Sequence, residues 1–284
     1  MRSIARKVLG VVAAVVLVAG AVIGIGRAVY ERRLDADVDA LLAARNRAAP
    51  VVVTEDDLAR LPKPVQRWLR WAQVAGTAIP ATVHLEQTGR FRQSETGGWM
   101  PFTAEETYTT DPPGFVWKTS MQMFPLLSII GRDQYANGHG SIEMRALGIV
   151  PVADAAGPEM DQGALLRYLN ETIWFPAAAV SPFITWDAID ATSARATMSY
   201  GEVTASATFV FDEQGRPVDM LAERQELASG QLQTWSTPFT AYGEFENIRV
   251  PVAGTALWRR EGGDFPYIEL QVTDITYDLQ SERT

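Results

Sequence analysis

Cysteine is absent from all 284 residues, which excludes disulfides, thiol nucleophiles and thiolate metal sites together. Histidine occurs only twice, at His84 and His139, with no H-x-x-x-H or H-E-x-x-H spacing, so no zinc site is expected. No serine sits in a G-x-S-x-G elbow, and no glycine-rich phosphate loop follows a strand-like run. No catalytic residue, metal ligand or cofactor is assigned on these grounds. Positive charge is also scarce. The first thirty-three residues hold six basic side chains and one acidic, net +5, so the total of −9 leaves −14 for positions 34–284. A body so acidic repels phosphate backbones, and no nucleic-acid partner is expected.

What is present begins with VLGVVAAVVLVAGAVIGIG, residues 8–26, nineteen positions without a charge, flanked by Arg2, Arg6 and Lys7 before and Arg27, Arg32 and Arg33 after. At about 1.5 Å per residue the run crosses a hydrocarbon core of about 30 Å, so a single-pass anchor is expected in the cytoplasmic membrane, with an extracytoplasmic body. The alternative is a cleaved signal peptide with an A-x-A site at Ala19-Gly20-Ala21. The run favours the anchor because Val22, Ile23 and Ile25 continue it past that site. Gly20 and Gly24 form a G-x-x-x-G that offers a weak homodimer contact.

Beyond the anchor (1–33), residues 34–53 read as a helical stalk, with Leu34, Val38, Leu41 and Leu42 at helical spacing until Pro50. Residues 54–284 read as one β-rich domain. Thr54 is placed as an N-cap ahead of Glu55, Asp56 and Asp57, and Pro64 opens a second helix whose Val65, Trp68, Leu69 and Ala72 share a face. From Thr82 the period changes to two. Strands are expected over 82–92, 102–110, 114–123, 128–138, 140–154, 184–190, 194–200, 203–212, 218–227, 233–239, 255–261 and 267–278, with Asn137-Gly138 as the best type I′ turn. One helix interrupts them, from Pro158 to the break at Pro176, with Leu165, Leu166, Leu169 and Ile173 on its apolar face and Arg167–Glu171 as a surface i,i+4 pair. The expected fold is therefore α+β, mainly β. A large, curved, half-barrel-like antiparallel sheet carries a few packing helices behind one transmembrane helix.

The segments LPKPVQRWLRWA, WMPFTAE, DPPGFVW, GIVPVADAAGPEMDQGALLRYLNETIWFPAA and WSTPFTAYGEFENIRVP resemble a bacterial family of membrane-anchored proteins that is itself a domain of unknown function. The likeness runs from about Leu61 to Tyr277 and brings no activity with it. The order helix, strands, helix, strands, with YGEFENIRVP (242–251) leading into a late strand, is similar more loosely to envelope proteins of the lipoprotein-carrier type. That similarity implies a half-barrel whose apolar concave face accepts acyl chains under a helical lid.

The candidate lining is aromatic and methionine-rich: Trp117, Met121, Met123, Trp174, Phe175, Trp186, Trp235 and Phe239, with Trp99 and Met144 as further members of the set. Trp117, Met121 and Met123 share one side of a strand by parity. The same residues serve equally well as an ordinary filled core. Asn170 joins them because its amide falls on an apolar helix face, where an unpaired group costs about 1–3 kcal/mol. Asp154, Glu159, Asp161 and Glu171 offer paired carboxylates, yet dipole and ion-pair roles account for each. His139, near Tyr135 and Asp133, and Ser236 and Thr237 read as turn residues. Three functions remain: binding of a lipid or other lipophile in a sheet concavity, an envelope interaction protein with a solid core, or a hydrolase using the acidic cluster.

Overall fold

The computed structural model describes residues 2–125, 127–226 and 230–278, so Leu227 of the expected 218–227 strand and the last six residues lie outside the described residues. Helix α1 (Arg2–Ala44) is continuous. Its apolar stretch has no buried residue, is long and apolar enough to cross a membrane, and fits a single-pass anchor. Past Gly26 the helix is no longer free. Tyr30 and Leu34 pack with Ile130, and Leu41 is also buried, so the segment expected as a stalk lies along the sheet. Helix α2 (Glu55–Ala59) starts on a capping box, in which Thr54 and Asp57 each bond the other's backbone N–H. In α3 (Lys63–Trp71) the expected face is buried: Trp68 stacks on Phe209 and Phe211, at ring distances of 6.0 and 5.6 Å.

Six strands follow as consecutive hairpins: β1 (Thr82–Phe91), β2 (Met100–Thr110), β3 (Pro113–Phe124), β4 (Leu127–Ala136), β5 (His139–Ala146) and β6 (Val150–Ala156). Helix α4 (Pro158–Glu171) and two 3-10 turns, Thr172–Trp174 and Pro176–Val180, come next. The second run is β7 (Ile184–Ala188), β8 (Ser193–Tyr200), β9 (Val203–Phe211), β10 (Pro217–Glu226), β11 (Gln231–Ser236), β12 (Phe239–Phe245), β13 (Ile248–Arg259) and β14 (Phe265–Asp278). All pair antiparallel in one sheet, in the order β6-β5-β4-β3-β2-β1-β14-β13-β11-β10-β9-β8-β7, with β12 added on β13. The first hairpin run thus joins the second along β1 and β14. Helix α4 packs against β5 of one wing and β9 of the other, which holds the sheet curled around it. Gly140 permits that approach, because a Cβ there would run into the Met160 carbonyl.

Three of the expected strands differ most from the structure, one of them because β13 begins at Ile248 rather than at position 255. The 140–154 segment is split, because Leu147 and Gly148 take positive φ (55° and 75°) and turn the chain between β5 and β6. The 233–239 segment ends at Ser236, and Phe239 begins a separate strand. The backbone of Thr237 instead bonds Met220 and the Asp219 carboxylate. The expected Asn137-Gly138 turn is present, with φ of 54° and 85°.

The two ends of the curled sheet differ. At the end holding the Asn137-Gly138 turn, Tyr108, Phe115, Tyr135, Tyr168 and Phe175 are fully buried and close it, with Tyr108 to Phe175 at 4.8 Å. At the other end lie the β3–β4, β5–β6 and β10–β11 hairpins, where Met123, Phe124, Val150, Val152 and Leu232 are exposed.

Candidate ligand-binding site

Alternation along the strands sends one row of side chains into the concavity. In β1 the inward row is Val83, Leu85 and Gln87, and in β2 it is Phe102, Ala104, Glu106 and Tyr108. Near the open end these rows do not meet α4, and a cavity of about 600 Å³ remains. That lies within the range of small-molecule sites, about 300–1,000 Å³. Its wall is largely apolar and methionine-rich, with Met100, Met121, Met123, Met144 and Met160 beside Phe102, Trp117, Trp235 and Phe239. Methionine adapts to irregular shapes, which suits a wall that accepts flexible chains.

Three of the four tryptophans of the wall have their N–H groups satisfied within the protein. Trp117 donates to Gln87 Oε1 at 3.0 Å, Trp174 to the Pro251 carbonyl at 3.1 Å, and Trp235 to the Tyr267 hydroxyl at 3.0 Å. Their rings therefore present carbon to the cavity.

The floor is polar. Arg167 of α4 places Nη1 2.7 Å from Asp133, Nη2 2.9 Å from Glu106 and Nε 2.7 Å from Glu171. Its guanidinium also lies over the rings of Phe115 and Trp117, at 4.8 and 5.0 Å. Tyr108 donates to Glu171 at 3.2 Å. Burial pushes the carboxyl groups of Glu106 and Glu171 above the usual range, against the pull of Arg167. Two buried glutamates facing one cation cannot both ionise at low cost, so Glu106 and Glu171 hold their protons above the usual range. Asp133 Oδ1 is buried with no protein partner. Asn170 accepts from Thr237 at 3.1 Å and also lines the cavity.

Of the residues singled out in the sequence, Trp117, Met121, Met123, Asn170, Trp174, Trp235 and Phe239 come together around this cavity. Phe175 and Trp186 do not. The 3-10 turn rotates Phe175 away from Trp174 onto Tyr168 and Tyr108, and Trp186 sits on the distant edge strand β7, donating to the Ala179 carbonyl and packing on Phe209. Trp99 is held between Arg90 and Arg92, each 4.7 Å from its ring.

The acidic side chains are dispersed. Asp154 and Glu159 are exposed, Asp161 accepts from the Gly140 N–H at 2.7 Å, and only Glu171 faces the cavity. Asp161 is also 3.4 Å from the exposed His139. Ser236 and Thr237 are occupied with Asp219 and, for Thr237, Asn170. Sequence reasoning placed the Arg167–Glu171 pair on a solvated face, and the structure corrects this. The pair is largely buried because the C-terminal half of α4 lies inside the curled sheet, whereas Glu159 and Gln162 in its first turns stay exposed. Glu106 carried a usable signal, since it shares parity with Phe102, Ala104 and Tyr108 and so had to face inward.

Residues 51–270 match the model of a family of unknown function (DUF6544), and the chain belongs to that family. No curated protein matches it. Among solved structures, the chain is similar to a LolA superfamily protein from Nitrosomonas europaea, at 9% identity over 80% of this chain and 94% of that one, TM-score 0.39. It is also similar to a DUF1329 family protein from Desulfovibrio piger, at 10% identity over 77% of this chain and 93% of that one, TM-score 0.41. Likeness at these TM-scores carries no functional weight, and the site has to be read from its own geometry.

Proposed function

We propose that this member of the DUF6544 family is a membrane-anchored binding protein that holds a lipid or other lipophile in the concavity of its sheet. The observation that carries the reading is the cavity of about 600 Å³, walled by methionine and aromatic side chains and open at one end. A solid-cored envelope protein has no use for such a void, because unfilled apolar space costs about 24 cal/mol per Å³. The body is read as extracytoplasmic in a bacterial envelope, with the N-terminus of α1 inside and the span in the cytoplasmic membrane.

The floor narrows the ligand. Arg167 is engaged by three carboxylates and offers no free charge to an anionic head, while Asp133 Oδ1 has no donor within the protein. A neutral head bearing a hydroxyl or amide donor suits it best, with the hydrocarbon against Met121, Met144 and Trp235.

Native mass spectrometry of the full chain, purified in mild detergent, tests this. A copurified amphiphile is expected, lost on delipidation and restored with a rise in thermal midpoint when lipid extract is returned. No bound amphiphile, together with no lipid that raises the midpoint, would overturn the reading.

A further inference from the structure

The cavity has a mouth, and α1 decides which way it points. Beyond the span, α1 runs down the convex face of β3 and β4 from the open end of the sheet to the closed one. Its contacts follow in order: Arg27 to Ser128 at 3.5 Å, Arg33 to Glu143 at 3.3 Å, Asp35 to Lys118 at 3.0 Å, Asp37 to Arg132 at 2.5 Å. Just past the helix, Asn46 donates to Asp111 at 2.9 Å. Ser128 lies beside the β3–β4 turn at the open end, and Asp111 in the β2–β3 turn at the closed end. No proline interrupts α1, so the direction of the span is carried into the body.

The level at which the helix leaves the bilayer is marked as well. The uncharged run ends at Gly26, and Gly26 is where α1 meets the tip of the β5–β6 hairpin. A Cβ on Gly26 would run into Ile149 Cγ2, and one on Gly148 would stand 3.0 Å from the Arg27 Cα. That hairpin belongs to the rim of the mouth.

The rim is also where exposed apolar side chains collect. Outside α1, the large exposed hydrophobics among the described residues are Val51, Val52, Met123, Phe124, Val150, Val152, Ile189 and Leu232. Five of these eight are at the rim, with Phe124 63% exposed, Val150 53% and Leu232 67%. Met123 and Val152 both line the cavity and reach solvent, so the cavity opens between them. Several charges nearby are paired, Arg145 with Glu143 at 2.7 Å, Arg90 with Glu269 at 2.7 Å, and Arg260 with both Glu95 and Glu226, while Arg92 and Arg224 lie over the aromatic rings of Trp99, Phe265 and Trp235. Pairing lowers the cost of bringing this end against lipid.

We propose that the mouth of the cavity is seated on the same bilayer that α1 crosses, with Phe124, Val150 and Leu232 dipping into its interface. Lipid then passes between leaflet and cavity without crossing water; this second step rests on the binding reading above, whereas the seating does not. Aliphatic and aromatic rim residues at the headgroup level gain by burial there, as interfacial segments do.

The absence of cysteine makes the test direct. Val150→Cys, Phe124→Cys and Leu232→Cys, each labelled with an environment-sensitive fluorophore, are compared with Glu202→Cys in the β8–β9 turn, whose neighbour Tyr200 packs on Tyr135 at the closed end with ring centroids 6.4 Å apart. The full chain is reconstituted in phosphatidylethanolamine–phosphatidylglycerol vesicles carrying nitroxide-labelled lipid. Rim labels are expected to shift to the blue and to be quenched at least about twofold more than the Glu202 label. Equal quenching at both ends, with thermal midpoints matching the unlabelled protein, would overturn the seating. The readout needs no occupant in the cavity, so a failure of amphiphile binding sinks the binding reading and leaves this result to be judged on its own.

Discussion

Arg167 and Glu106 form an ion pair of 2.9 Å at the floor of the cavity, with the Glu106 side chain wholly out of solvent. Asp133 and Glu171 hold the same guanidinium from its other edges. One cation thus ties α4 to β2 and β4, and it stands where an apolar cavity ends and the packed, closed end of the sheet begins.

Removing that cation leaves three carboxyl groups facing one another. Arg167→Met is expected to cost about 3–5 kcal/mol, the usual range when one partner of a buried ion pair is lost. Denaturant unfolding of the detergent-solubilised chain measures it. A loss below about 1 kcal/mol would mean that water reaches the site and screens it.

The same cluster sets a pH dependence. Glu106 has its folded-state pKa raised, chiefly by burial, so the folded protein holds a proton that the unfolded chain releases near the ordinary glutamate pKa. Its contribution is complete below that pKa and is lost as pH rises toward the folded value. Stability is therefore expected to fall as pH rises above the ordinary glutamate value and to level off above the folded one, by about 1.4 kcal/mol for each tenfold gain in proton affinity on folding. Glu106→Gln, which keeps the size and cannot ionise, should flatten that slope. An equal slope in both proteins would assign the proton elsewhere in the cluster.

Filling the cavity should separate binding from folding. Ala256 lines it from β13. Ala256→Trp is expected to lower bound amphiphile at least about tenfold, equivalent to about 1.4 kcal/mol of affinity, with the thermal midpoint of the delipidated protein held or raised. Native mass spectra of variant and parent, prepared side by side, give the ratio.

Close approach at Gly140 should be intolerant of a side chain. Gly140→Val drives a Cβ into the Met160 carbonyl and should cost about 1–3 kcal/mol by overpacking. If unfolding shows no loss, α4 is free to slide along β5, and the floor of the cavity is less rigid than its ion pairs imply.

Docking of α1 should be separable from the rest of the fold. Tyr30 donates to the Glu143 carbonyl at 3.0 Å and lies beneath the Arg145 guanidinium at 4.6 Å. Tyr30→Ala is expected to lower the opening free energy of residues 27–44 by about 2–4 kcal/mol, from lost burial and one hydrogen bond. Hydrogen exchange should show faster exchange confined to that stretch, with strands β1 and β14 unchanged.

Much of this architecture is legible along the chain. The uncharged run from Val8, the Thr54 cap, the buried face of α3 and the Asn137-Gly138 hairpin all depend on interactions within a few residues. Each was expected where the structure has it. The break at Leu147-Gly148 is not legible in the sequence because a positive φ at leucine is uncommon; the turn is closed by the Gly148 and Ile149 N–H groups on the Arg145 and Ala146 carbonyls. Trp186 and Trp235 look alike as strand tryptophans. What separates them is that β7 is the outer edge of one wing whereas β11 borders β13 beside the cavity.

Hydropathy and spacing along the chain were by themselves enough to determine the long apolar N-terminal helix, the antiparallel rhythm and the pool of aromatic and methionine residues available to a concavity, because these are set by local periodicity and length. Whether those residues fill a core or surround a void was decided only in three dimensions. It depends on α4 bridging β5 and β9 and so holding the two wings of the sheet at a fixed separation. The placement of Arg167 follows from the same fact. A helix read alone has a wet side, but a stretch enclosed by a curled sheet does not, and its charged residues must then find partners across the fold.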